Sequence, residues 1–195
     1  MRLAVLARHA HSQLNASGRI NGDPAVAVPL TEVGREEAVR LGVQLAHVPF
    51  DLALYTRFGR TRETAELVLR GRRVPSAVEP LFDDVDVGEL EGSTVEDYRA
   101  WKRTHARADP FPGGESLDAA ARRYARALRA LTRRPWGAVL VVCHEIAIRY
   151  ALNAAAGSDE LDGPAHDIPN ATPYLFDEPA LVRAAERIEA LTGGG

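Results

Sequence analysis

Cysteine is almost absent from this chain: Cys143 is the single one in 195 residues. An intramolecular disulfide and a multi-cysteine zinc site are therefore excluded, and the usage fits a reducing compartment, the cytoplasm, with Cys143 expected as a buried structural thiol. A strong charge of either sign is missing too. The formal net charge of -3 gives no electrostatic case for binding nucleic acid or an anionic membrane, so any anion site has to be local. No window approaches the roughly 20 apolar residues of a membrane span, and no internal repeat or low-complexity segment is found. The apolar run from Leu3 to Ala7 is too short for a signal-peptide core and passes at once into Arg8-His9.

What the chain does contain is a globular balance, 46% apolar and 26% charged residues, expected of one domain over residues 1–195 with a single substantial core. Leu3 to Ala7 and Ala138 to Cys143 are continuous apolar runs, the pattern of strands buried on both faces as in parallel sheets covered by helices. Asp51 to Thr56 reads as a further short strand. Thr31 is placed to cap a helix carrying Ala38, Leu41 and Leu45 at helical spacing, and Gly59 to Leu69 forms another with Thr61, Ala65 and Val68 inward.

A third helix is marked by Leu117, Ala121, Tyr124, Leu128 and Leu131, with Arg122, Arg126, Arg129 and Arg133 as a second stripe read as a solvated face. Pro110 to Gly114 breaks the chain ahead of it, a short helix is expected around Val95 to Arg107, and Ile146 to Ala155 is rich in helix formers. Alternating strands and helices with short links predict an α/β fold, a three-layer α/β/α sandwich around a mostly parallel sheet. Ligands in such sheets sit beyond the carboxyl ends of the strands, which selects Arg8-His9 and His144.

Those positions supply what phosphoryl transfer needs: a nucleophile, cations and hydrogen-bond donors around the phosphoryl oxygens, and an acid for the leaving oxygen. His9 and His144 end two strands, Arg8 adjoins His9, Arg60 follows the second strand, and Asp84 lies in an acidic loop.

In order along the chain, Arg8-His9-Ala10-His11-Ser12-Gln13-Leu14-Asn15, Gly18-Arg19-Ile20-Asn21-Gly22-Asp23, Pro29-Leu30-Thr31-x-x-Gly34, Tyr55 to Ala65, Asp84 to Gly92, Pro112 to Ser116 and Val141-Val142-Cys143-His144 resemble the motifs of the histidine phosphatase superfamily, phosphoglycerate mutase-like branch. The resemblance implies that His9 attacks phosphorus to form a phosphohistidine, a covalent step that divides one displacement into two. It implies that Arg8 and Arg60, rather than Arg57 or Arg62, clamp the phosphoryl oxygens with their guanidinium forks. His144 would hydrogen-bond the same group, Ser12, Asn15 and Asn21 would add neutral donors, and Asp84 would protonate the leaving oxygen, with Asp86 and Glu89 as alternatives.

Four positions depart from the family pattern: Ala10 stands where glycine is usual, His11 and Asp84 where glutamate is, and Glu145 where glycine follows the second histidine. His11 is then a candidate substrate contact. The expected activity is a metal-independent phosphatase acting on small-molecule phosphomonoesters without a cofactor, with walls from Ser17 to Val28, Val85 to Arg107 and Gly157 to Asn170. Trp101, Lys102 and Arg103 are candidates to cover the substrate. The competing readings are a mutase, a catalytically weak phosphate-binding regulatory module, and a metallophosphatase built on Asp83, Asp84, Asp86 and histidines. His47, His105 and His166 have no supporting neighbours, and nothing specifies an oligomeric state.

Overall fold

A computed structural model describes residues 2–133 and 135–193. Met1, Arg134, Gly194 and Gly195, and with them the two ends of the expected 1–195 unit, lie outside the described residues. The first half of the chain forms β1 (Leu3–Arg8), α1 (Gln13–Ala16), α2 (Glu32–Gln44), β2 (Leu52–Tyr55), α3 (Gly59–Val68) and β3 (Ser76–Val78). The second half forms α4 (Val95–Thr104), α5 (Leu117–Thr132), β4 (Ala138–Cys143), α6 (Glu145–Ala155), β5 (Pro173–Asp177) and α7 (Glu178–Leu191).

Among the described residues five strands make one sheet in the order β3-β2-β4-β1-β5, parallel except for β5 at one edge. Period-2 alternation sends the two halves of each buried strand to opposite cores. Val5, Ala7, Ala53, Leu140 and Val142 pack with Leu41 of α2 and Ala65 and Val68 of α3. Ala4, Leu6, Leu52, Leu54, Val139, Val141 and Cys143 pack with Leu128 of α5, Ile148 of α6 and Ile188 of α7. The expected three-layer α/β/α architecture is therefore found, and Cys143 is a buried free thiol.

Register positions the site. Leu3 pairs with Ala138 and Arg8 with Cys143 along the whole of β1 and β4, so the two strands end level and the next residues, His9 and His144, emerge side by side. β2 pairs with β4 up to Tyr55 opposite Val142, which brings the start of α3, with Arg60 in its first turn, to the same sheet end.

The cap expected at Thr31 is found, its Oγ1 accepting from Gly34 N at 3.0 Å at the start of α2; α5 begins after the Pro110 to Gly114 break and is capped by Ser116, a cap not anticipated from the sequence. The arginine stripe on α5 is a correction. Arg129 makes a two-pronged pair with Glu189 at 2.7 and 2.5 Å, and Arg122 donates to the Thr192 carbonyl at 2.9 Å, leaving only Arg126 and Arg133 of the four exposed. Periodicity along α5 alone leaves the stripe facing solvent, whereas α7 packs against it. β3, β5 and α1 were also not anticipated; each is short, and β3 is exposed along its whole length, so none carries a strong periodic signal.

Gly34 shows how tightly α2 sits on the segment after His9. A Cβ there would lie 2.0 Å from the His11 carbonyl oxygen, whereas a Cβ on Gly59, at the start of α3, would meet nothing within 4 Å. Gly34→Ala is thus expected to lower unfolding free energy by about 1–3 kcal/mol through overpacking. Gly59→Ala is expected to leave it unchanged or raise it by up to about 1 kcal/mol. Urea unfolding midpoints check the pair, and equal effects would refute the packing argument.

Candidate active site

His9 is held by its backbone on both sides, its N–H donating to the Cys143 carbonyl at 2.9 Å and its carbonyl accepting from Asn170 Nδ2 at 2.7 Å. Its ring Nδ1 lies 2.8 Å from the Ala10 carbonyl oxygen. A carbonyl only accepts, so Nδ1 carries the hydrogen and Nε2 is the bare nitrogen. That nitrogen faces Arg60 Nε at 3.1 Å. Burial, with Arg60 and then Arg8 adding, holds His9 well below the usual imidazole value.

Arg60 is the hub. Its guanidinium is buried over the Phe58 ring, at 4.3 Å from the centroid. Nη1 donates to Asn21 Oδ1, and Nη2 reaches Asn21 O and Asp84 Oδ2 at 3.1 Å and His144 Nδ1 at 3.2 Å. Arg57 and Arg62 do not share this place: Arg57 pairs with buried Asp83 and Arg62 with Glu66.

Asp84 faces the same cluster, its Oδ2 lying 3.3 Å from His144 Nδ1. Burial pushes its carboxyl up, against the opposing pull of Arg60. Asp86 and Glu89 are exposed, and Asp86 Oδ1 is taken by the Gly88 N–H at 3.0 Å. The acidic loop is anchored from α5, where Arg123 donates to the Leu81, Asp83 and Asp84 carbonyls and pairs with Glu115.

His144 is fully buried as the N-cap residue of α6, with Nε2 2.9 Å from Thr56 Oγ1. Burial and the neighbouring Arg60 hold it well below the usual imidazole value. Arg8 Nη1 donates to the Ile168 carbonyl at 2.6 Å and forms an ion pair with Glu145 Oε2 at 3.0 Å, while Arg8 Nε is buried with no partner among the described residues. Glu145, the departure after His144, thus bridges Arg8 to Arg149 rather than standing as a free charge.

Arg8, His9, Arg60 and Asp84 line one end of a cavity of about 420 Å³. Its walls come from the expected segments, through Arg19, Ile20, Tyr98, Lys102 and His166 among others, and also from α6, through Ile146 and Arg149. The α6 contribution was missed in the sequence because that helix reads only as a run of helix formers. His166, expected at the surface or in a structural role, is exposed but borders this cavity. Lys102 lines it, but Trp101 stacks on Phe111 and His105, and Arg103 pairs with Glu96.

The neutral donors are placed differently from the expectation. Ser12 is an N-cap whose hydroxyl and N–H both engage Asn15 Oδ1 at 3.0 Å. Asn21 commits its amide hydrogens to Asp23 O and Glu91 Oε1, so it orients Arg60 instead of offering a donor to the cavity. Ser12, Asn15 and Asn21 all still border the cavity. His11 is engaged with Thr31 and, through its backbone, Glu37, and is not among the described residues lining the cavity. Ala10 is fully buried beside Leu30 and Ala38. Among the described residues no group of three or more His, Cys, Asp or Glu side chains is placed to hold a metal ion.

The family model of the histidine phosphatase superfamily (branch 1) matches residues 4–178. The chain is 34% identical over 134 residues to the adenosylcobalamin/alpha-ribazole phosphatase of Salmonella typhimurium, a match spanning 65% of each protein. It is 29% identical over 160 residues, 78% of this chain and 74% of the other, to the protein named "Probable phosphoglycerate mutase GpmB" in Cronobacter sakazakii. Among solved structures, the alpha-ribazole phosphatase from Shigella flexneri superposes with a TM-score of 0.79 at 26% identity over 90% of both chains. Bacillus stearothermophilus YhfR superposes with a TM-score of 0.80 at 26% identity over 91% of both.

Both site histidines stay neutral in the fold at a pH where the unfolded chain protonates them, the unfolded value being about 6.5. Below that value the unfolded state binds the extra protons, so stability falls with pH down to the depressed folded values. Removing one of them by His9→Asn should flatten that loss by up to about 1.4 kcal/mol per pH unit. Urea midpoints at about pH 7.5 and 5.5 for the two proteins read the difference; parallel losses would show that His9 is not held neutral.

Proposed function

The chain belongs to the histidine phosphatase superfamily, branch 1, and from that premise we propose that it is a phosphatase hydrolysing small-molecule phosphomonoesters through a phosphohistidine on His9. The observation that carries the reading is the ring of His9: Nδ1 is engaged by the Ala10 carbonyl and the bare Nε2 is turned to Arg60 in a cavity shared with Asp84. A neutral imidazole with its lone pair at the cavity end is a competent nucleophile toward phosphorus.

In this reading Arg8 and Arg60 take the phosphoryl oxygens, Arg8 with a buried Nε that has no partner among the described residues and Arg60 by exchanging its contacts with His9 and Asp84 for the phosphoryl group. Asp84 gives its proton to the leaving oxygen. As a carboxylate it then takes one from the water that attacks the phosphohistidine, releasing inorganic phosphate and restoring His9. Its raised pKa keeps it protonated to higher pH than an ordinary aspartate, which suits the first step. Two guanidinium groups supply the positive charge a resident metal would otherwise provide.

The cavity is larger than a phosphoryl group needs and mixes apolar Ile20, Val28 and Val95 with polar walls, a setting for an organic leaving group. The relatives named as alpha-ribazole phosphatases make ribosyl phosphates a first class to assay. A mutase would have to keep and reorient a phosphorylated intermediate; between Gly92 and Pro110 the single helix α4 covers the cavity, which favours release over retention. The free buried Cys143 supports placement in the reducing cytoplasm, and the one five-stranded sheet among the described residues supports a single domain over residues 1–195.

Rapid-quench labelling with a phosphomonoester should give an acid-labile, base-stable phosphoryl group that maps to His9; a label on Ser12 would overturn the assignment. Asp84→Asn should slow single-turnover phosphorylation of His9 by alkyl phosphates about 10²- to 10⁴-fold, but far less with p-nitrophenyl phosphate, whose phenolate leaves unaided. Equal losses would reduce Asp84 to a shaper of its loop.

A further inference from the structure

Behind His144 runs a chain of hydroxyls whose directions are fixed by counting hydrogens. Thr61 Oγ1 lies 2.8 Å from the Phe58 carbonyl and 3.3 Å from the Thr56 carbonyl, acceptors that claim its one hydrogen. Thr56 Oγ1, 2.9 Å from Thr61 Oγ1, must then be the donor of that pair. With its hydrogen used, Thr56 Oγ1 can only accept from His144 Nε2 at 2.9 Å. His144 therefore carries its hydrogen on Nε2, and Nδ1 turns toward the site bare. Thr56, Thr61 and His144 are all buried, so water does not offer the chain another arrangement.

At the bare end there is a shortage of hydrogens. Arg60 Nη2 has two, and three acceptors surround it: Asn21 O and Asp84 Oδ2 at 3.1 Å and His144 Nδ1 at 3.2 Å. Asp84 Oδ2 and His144 Nδ1 also face each other at 3.3 Å, two lone pairs in contact unless a proton lies between them. The other charged or titratable groups around this pair are His9 and Arg8 from the end of β1, Arg123 from α5 and Glu145 from α6.

We propose that Thr56 and Thr61 are positioning residues which, by fixing His144 as the Nε2–H tautomer, make its bare Nδ1 the acceptor for the acid proton of Asp84, so that the resting site already stores the proton the leaving oxygen will take. The proposal rests on the reading of Asp84 as the general acid. When the P–O bond breaks, the Asp84 Oδ2–H bond breaks with it, the leaving oxygen departs as an alcohol, and Asp84 is left as a carboxylate. The proton is replaced from the water that cleaves the phosphohistidine. Burial pushes the Asp84 carboxyl up and the His144 imidazole down, both in the direction that favours the shared proton on the carboxyl. A bare Nδ1 has no hydrogen to give a phosphoryl oxygen, so in the resting site His144 serves the acid rather than the phosphate.

Thr61→Val tests this with almost no change of shape. Without Thr61 to accept, the Thr56 hydroxyl is free to donate to His144 Nε2, which moves the ring hydrogen to Nδ1, pointing at Asp84. A donor there favours the carboxylate and lowers the Asp84 pKa. Long-range ¹⁵N–¹H spectra of histidine-labelled protein, with His144 assigned by its loss in His144→Asn, should show protonated Nε2 in the wild type and in Thr61→Ser, and a shift toward protonated Nδ1 in Thr61→Val. The basic limb of single-turnover phosphorylation by an alkyl phosphate should move about one pH unit lower in Thr61→Val, a roughly tenfold loss above it, and return in Thr61→Ser. A Thr61→Val protein with the wild-type tautomer and an unmoved limb, or a Thr61→Ser protein as impaired as Thr61→Val, overturns the proposal. A wild-type protein that forms no phosphohistidine defeats the phosphatase reading instead, and the nitrogen spectra still decide the tautomer.

Discussion

A guanidinium buried at the end of a parallel sheet is the constraint around which the site is arranged. Arg60 is 4% exposed, and an arginine so desolvated is tolerated only where its donors meet acceptors and its charge meets an opposite one. His9, Asn21, Asp84 and His144 provide those acceptors. Each comes from a different segment, so the charge that a phosphoryl group would meet also ties the end of β1, the loop after α1, the acidic loop and the end of β4 to one point. The same cation, with burial, keeps His9 and His144 neutral while competing with burial over Asp84. Removing it would loosen the geometry and the protonation pattern together.

The cationic end of the cavity is kept in order by carboxylates that are not part of the proposed chemistry. Glu145 bridges Arg8 and Arg149, Asp162 receives Lys102, Arg107 and Arg149, and Glu91 accepts from the Gly22 and Asp23 N–H groups and from Asn21. Such pairs add little net stability when partly exposed, but they fix long side chains whose rotamer freedom would otherwise have to be lost on binding. Glu145 illustrates the point: by sequence it is a negative charge next to a phosphate site, and in the fold it restrains Arg8 at Nη1 while leaving Nε without a partner among the described residues.

Where the sequence was legible, it was so for local reasons. Continuous apolar runs marked β1 and β4, a hydroxyl cap marked the start of α2 and the Pro110 to Gly114 break that of α5, because these signals depend only on near neighbours along the chain. The strand-end rule then selected His9 and His144, and motif order selected Arg60 and Asp84, all four of which meet within hydrogen-bonding reach. Ser12 and Asn21 were read as donors to a ligand because a polar side chain in a motif declares its chemistry but not its partner. Their hydrogens turned out to be committed to Asn15, Asp23 and Glu91. The arginine stripe of α5 was read as solvated for the same reason: Glu189, sixty residues away, is invisible to helical periodicity.

The sequence by itself therefore determined the alternation of strands and helices, the residues able to carry phosphoryl transfer, and the compositional exclusion of disulfides. Tertiary structure alone decided which nitrogen of each histidine is bare, which of three neighbouring carboxylates enters the cavity, and which polar groups are already engaged. The reason is physical: a hydrogen-bonding group's role depends on how many donors and acceptors surround it, and around Arg60 and His144 those come from segments as far apart along the chain as His9 and His144, joined only when β1, β2 and β4 align in register.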